Sequence, residues 1–143
     1  MPIKNYTTKV SAYKTISEIS GILAEHGARR VAHDYDNGKV VAVCFEIDTP
    51  FGVQAVRLPA NVEKVLLVLQ KQKVSGANYA QAEMTAWRIV KDWIDAQMAI
   101  LESEMVTMSE IFFPYMLNNL ATGETVYQLF VNKQLRLGDG TNG

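Results

Sequence analysis

The sequence predicts an α+β fold: a helix, a three-stranded antiparallel sheet, a second helix, then a long amphipathic helix and a short C-terminal helix. Three observations predict it. Ala80–Met105 is an unbroken run of helical periodicity that holds both tryptophans, Trp87 and Trp93. Three alternating apolar stretches are joined by the turn signals Asp36-Asn37-Gly38 and Thr49-Pro50-Phe51-Gly52. The 143 residues are 48% hydrophobic and 20% charged, enough to bury a core without disulfides or metals. One α+β domain is expected over residues 1–137, its helical extension beginning near 79, with 138–143 as a flexible tail.

Residues 1–14 carry Lys4, Lys9 and Lys14 with Tyr6 and Tyr13 between them and no acid. A helix is expected next, with Thr15 as N-cap and Glu18 three residues on, the spacing of a capping box. Ile16, Ile19, Ile22 and Leu23 form its apolar face. Gly27 suits the left-handed position that ends a helix, and His26 in the last turn reads as a capping group. The first strand holds Val31, His33 and Tyr35, and Asn37-Gly38 tolerates the positive φ angles of a tight hairpin turn. Lys39–Asp48 follows with Val41, Val43, Phe45 and Ile47 on one face. It is apolar on both faces, so it is expected at the centre of the sheet. Val53–Leu58 is the third strand.

Asn61 is the expected cap of a helix over residues 62–72, whose buried stripe is Val62, Val65, Leu66 and Leu69. Asn78 and Gln81 resemble a capping pair for the long helix, where Trp87, Val90, Ile94, Met98 and Leu101 fall in one stripe. Arg88–Asp92 and Lys91–Asp95 are expected i,i+4 ion pairs. The apolar face is wider than one small sheet covers, which requires cover from the C-terminal segments or from a second copy. Thr107 and Glu110 repeat the capping-box spacing ahead of MSEIFFPYMLNNL, where Pro114 should kink or end the helix. Residues 124–131 fit either a strand or a helical turn.

The usual catalytic constellations are absent. Two histidines and one cysteine, Cys44, preclude a cysteine–histidine zinc set. There is no glycine-rich phosphate loop and no nucleophile-elbow serine. Asp34, Asp36 and Asp48 read as turn acids rather than metal ligands. No enzyme activity, metal or cofactor is expected. No apolar leader or membrane-length run occurs, and a lone cysteine suits a reducing compartment, so a cytoplasmic protein is expected.

Charge is uneven. Residues 1–33 hold five basic residues (Lys4, Lys9, Lys14, Arg29, Arg30) against Glu18 and Glu25, a balance of +3. Residues 83–110 hold six acids against Arg88 and Lys91, a balance of −4. A bipolar molecule of this kind can offer a basic groove to a polyanion or stack head to tail with its own copies.

The strings KTISEISGILAEHGARRV, VRLPANVEKVL, AWRIVKDWIDAQMAILESEMV and IFFPYML resemble a set of small, uncharacterised phage and prophage proteins. The order helix, three antiparallel strands, helix is also similar to the core of phage single-strand annealing recombinases. The basic first third, taken with that element order, points to a phage protein of the bacterial host's cytoplasm that binds single-stranded DNA, with annealing or recombination by a homo-oligomer as its sharper form. In that reading Lys4, Lys9, Lys14, Arg29, Arg30 and Arg57 hold phosphates, and Tyr6, Tyr13 or Tyr35 stack on bases. Trp87, Trp93, Phe112 and Phe113 are the candidate subunit interface. Two other classes stay open: a phage inhibitor that binds a host defence protein through its acidic face, and a structural or assembly protein.

Overall fold

The computed structural model describes residues 1–136, with side chains through Lys133; the expected tail at 138–143 lies outside the described residues. The architecture is mixed α+β: α1 (Ala12–Glu25), β1 (Val31–Asp36), β2 (Lys39–Thr49), β3 (Gly52–Pro59), α2 (Val62–Lys71), α3 (Tyr79–Glu102), α4 (Met108–Phe112), β4 (Leu117–Asn119), β5 (Glu124–Thr125) and α5 (Val126–Arg136). No helix among the described residues is long and apolar enough to cross a membrane.

β1, β2 and β3 form an antiparallel meander with β2 in the middle, as its two-sided apolar pattern predicts. Val43 pairs with His33 and Leu58, and Phe45 with Val31 and Val56, so this face turns inward. The turn has Asn37 at φ 52° and Gly38 at φ 77°, the positive angles that Asn-Gly accommodates. The inner face meets Ile16, Ile19 and Leu23 of α1, Trp87, Ile94 and Met98 of α3, and Ile111 and Phe112 of α4 in one core.

Several helix boundaries differ from expectation. α1 begins one turn early: Ser11 is the N-cap, its hydroxyl accepting from Lys14 N at 3.1 Å. Thr15 is therefore interior and fully buried, and Glu18 forms no capping box but takes Arg88 at 2.9 Å. Arg88 is thereby unavailable to Asp92, which instead holds Lys4 at 3.2 Å and Asn5 at 2.8 Å; Lys91–Asp95 forms as expected at 2.8 Å. Asn61 precedes α2 without a side-chain cap bond. Asn78 does cap α3, accepting from Gln81 N at 2.8 Å, and Thr107 and Glu110 make the full capping box.

Pro114 ends the helix that the MSEIFFPYMLNNL pattern suggested, leaving five helical residues and a 3-10 turn over Phe113–Tyr115. The ambiguous 124–131 stretch is mostly helical. Thr125 and Gln128 form a reciprocal cap, with Gln128 N donating to the threonine hydroxyl at 3.3 Å and Thr125 N to the amide oxygen at 2.9 Å. A short β4–β5 hairpin precedes it, tied to the main sheet by a bridge between Met116 and Val56.

The wide apolar face of α3 is covered largely within the chain. Trp93 meets Phe112 edge-on at 5.8 Å and Tyr115 at 5.7 Å, and Phe112 meets Phe45 at 5.0 Å. Trp87 and Phe112, expected at a subunit interface, are fully buried in this core and have no surface for a partner. Trp93 is half-buried, while Phe113 is 56% exposed. On the opposite flank the N-terminal arm lies over α3: Thr85 donates to Asn5 O at 3.0 Å and Gln81 to Thr8 O at 3.0 Å.

His26, the C-cap of α1, joins the C-terminal ends of α1 and α3. Nδ1 contacts Ile22 O and Nε2 contacts Glu102, each at 2.8 Å. The hydrogen bond to Glu102, then that to Ile22 O, raises its pKa above 6.5, because only the imidazolium donates from both nitrogens.

Two outcomes follow for stability. Phe112→Ala should cost about 3–5 kcal/mol in urea unfolding, since the ring fills the junction of α4, α3 and β2. A His pKa raised on folding stabilises below its unfolded value and loses that contribution as pH rises through the folded value. The stability lost in Glu102→Gln should therefore be largest near about pH 5.5 and shrink toward about pH 9, measured by urea midpoints.

Candidate nucleic-acid interface

Three constraints set the first part of the site. Asn5 at φ 65° bends the arm so that its carbonyl meets Thr85, and Gln81 fixes Thr8. This places Lys9 beside the end of α2. There the chain closes α2 with Val74 N donating to Leu69 O and Lys73 N to Gln70 O, both at 3.0 Å, the paired bonds of a Schellman cap. Lys73 occupies the left-handed position of that cap at φ 56°, a place usually given to glycine or asparagine. A lysine there is strained, by about 1–2 kcal/mol for a residue with a Cβ. Its side chain lines a groove of about 460 Å³ with Tyr6, Lys9 and Gln81. Neither Lys9 nor Lys73 has an ion-pair partner among the described residues.

Three residues after Lys9, α1 begins, and a second groove of about 500 Å³ opens between it and the β1–β2 hairpin. Its floor is Ile16 and Val40, and its lips are Tyr13 and Tyr35, 85% and 64% exposed. The register of β1 against β2 shifts between Asp34 and Tyr35, a bulge that re-aims the tyrosine. Ser20 Oγ lies 3.2 Å from His33 Nε2 inside the groove. Lys39 stands at its hairpin end, 5.6 Å from the centre of the Tyr79 ring and 3.9 Å from Glu83. Lys9 and Tyr13 are joined by so short a segment that their Cα atoms lie within about 14 Å.

The structure sorts the sequence-predicted site residues differently. Lys4 is bound to Asp92, Arg29 to Asp48 at 3.1 Å, Arg30 to Glu46 at 3.7 Å, and Arg57 to Asp34 at 2.9 Å. Each of these four cations has an acidic partner within ion-pair distance. Lys9 and Lys14 remain without an ion pair among the described residues, Tyr13 is exposed, and Tyr6 is half-buried against the core. Lys73 lies outside that set, because its spacing does not set it apart from Lys64 and Lys71. Its only sequence signal is the absence of any acid between Glu63 and Glu83.

The outer face of the sheet carries a separate arrangement. Arg57 of β3 reaches to Asp34 of β1, and the Cys44 thiol on the strand between donates to the same carboxylate at 3.4 Å. The Arg57 hydrogen bond holds the Asp34 carboxyl below its usual range. Burial, then the Asp34 charge, pushes the Cys44 thiol up to about 11. Such a thiol is protonated at neutral pH and is a poor nucleophile. Among the described residues, no three His, Cys, Asp or Glu side chains converge as a metal set.

Comparison with protein-family models, with curated proteins and with solved structures found no match.

Asp34→Asn should lower the Cys44 pKa and speed its alkylation by iodoacetamide at neutral pH in the folded protein. An unchanged rate would show that the carboxylate does not hold the thiol proton.

Proposed function

We propose that the protein is a non-enzymatic nucleic-acid-binding protein that holds single-stranded DNA along the path from the arm to α1. One observation carries the reading: two unpaired lysines share a groove that is joined, through the segment Lys9–Tyr13, to a second groove lipped by two exposed tyrosines. Lys9 and Lys73, with Lys14 beyond them, supply phosphate contacts. These release counterions and make affinity fall with salt. Tyr13 and Tyr35 supply flat faces for unpaired bases, a contact that tolerates any base. Duplex DNA keeps its base faces stacked inside the helix, so the tyrosines favour single strands. The strained position of Lys73 supports the same reading, because a non-glycine residue held in the left-handed region often serves a site rather than the fold. With the resemblance to phage proteins, single-strand annealing during recombination is the process in which such a strand holder would act.

Fluorescence anisotropy with a labelled oligonucleotide across a salt series tests this. Wild type should bind single strands more tightly than duplex. Lys9→Ala with Lys73→Gly should reduce the slope of log affinity against log salt by about 1–2, roughly one per lost phosphate contact. The Lys73→Gly chain should be no less stable than wild type in urea, since glycine relieves the strained φ. Tyr13→Ala and Tyr35→Ala should each cost about 1–3 kcal/mol of affinity and leave the salt slope unchanged. Absence of binding at low salt would refute the proposal.

A further inference from the structure

Two surfaces, one beside the N-terminal half of α3 and one at its C-terminal end, complement each other in charge. On the solvent side of α2, Lys64, Leu67 and Lys71 stand at i, i+3 and i+7, one stripe of the helix. Leu67 is 65% exposed, and neither lysine has an ion pair among the described residues. Residues 72–78 are a short connection, so α2 packs back along the N-terminal half of α3.

At the C-terminal end of α3, a helix about 36 Å long, a groove of about 800 Å³ opens between the β2–β3 turn and the segment leading to α4. Its wall is Phe51, Leu101, Val106 and Met108, and Glu104 and Glu110 stand on its rim. Phe51 is 91% exposed at the tip of the turn. Neither glutamate has an ion pair among the described residues, and Glu110 keeps one carboxylate oxygen free of its cap.

A leucine with Lys64, Lys71 and Glu63 one turn away, a net positive patch, thus faces an apolar trough flanked by two glutamates. Within one chain they lie too far apart to meet. We propose that they join two copies of this chain head to tail, with Leu67 of one seated against Phe51, Leu101 and Met108 of the next. Charge complementarity selects this occupant: the free cations of α2 meet the free carboxylates of the groove, which an uncharged apolar partner would leave unanswered. The contact uses a different patch on each copy, so it repeats, closing as a ring or extending as a filament. Neither surface includes Lys9, Lys73, Tyr13 or Tyr35, so the inference stands apart from the reading of the strand-binding path.

Light scattering on the full chain tests it, with Leu67→Asp and Phe51→Asp as the two variants. Both side chains point to solvent, and circular dichroism verifies that each variant folds. Wild type should gain apparent mass with concentration up to the order of 100 µM, and lose it in high salt. Each variant alone should stay monomeric. An equal mixture should form dimers and stop there, because one variant keeps an intact groove and the other an intact helix. Wild type that stays monomeric, variants that assemble as wild type does, or a mixture that stays monomeric would each overturn the proposal.

Discussion

The 24-residue helix α3 is apolar around more of its circumference than a three-stranded sheet can cover, and the rest of the fold answers that constraint. Five separate parts of the chain share the cover. The inner face of the sheet takes part of the stripe around Trp87 and Ile94, α1 and α2 lie beside it, and α4 brings Phe112 against Trp93. The N-terminal arm supplies the last part. Gln81 and Thr85 are polar, buried positions on α3 whose hydrogen bonds run to the arm's backbone and to each other. Buried groups of that kind are costly when unpaired, so the arm is part of the fold rather than a solvated end. The strand-binding path proposed for this protein begins on that arm, and its position depends on the same bonds.

Much of the fold was legible because local signals and global packing agree. The Asn37-Gly38 turn, the alternation of β2, the Asn78 cap and the Thr107–Glu110 box each specify one conformation, and the structure adopts it. Legibility failed where two residues competed for one role. Ser11 and Thr15 can both cap a helix, and Thr15 lost because its side chain is needed in the core, where it meets Arg88. The ambiguity at 124–131 came from composition: valine, tyrosine and phenylalanine favour strands. The Thr125–Gln128 spacing was the stronger signal, since a cap satisfies specific backbone donors while propensity alone is worth only tenths of a kcal/mol per residue.

The candidate site was less legible than the fold, for an electrostatic reason. Sequence shows where charges are, and function depends on which remain unpaired after folding. Arg29 and Arg30 lie beside β1 and reach Asp48 and Glu46 of the neighbouring β2, while Arg57 of β3 reaches past Cys44 to Asp34 of β1. Lys9 and Lys73 sit 64 positions apart in the chain, and only the Schellman turn and the arm's bonds to α3 place them in one groove. No pattern of spacing reports that meeting. The tryptophans carried the opposite lesson: large aromatic residues that suggest an interface are, for Trp87, the centre of a core.

The arm's attachment also bears on how the protein is made. Residues 5 and 8 leave the ribosome before their partners on α3, which are separated from them by 80 and 73 positions. Chain elongation at about 5–20 residues per second puts seconds between the two, and closing so long a loop is slower than forming a local hairpin. The sheet and α1 can collapse meanwhile, but Lys9 has no fixed place until α3 is complete. A truncated or stalled chain would carry the same lysines and tyrosines without their arrangement. Completion of the spine is therefore the checkpoint at which a loosely charged N-terminus becomes a shaped surface.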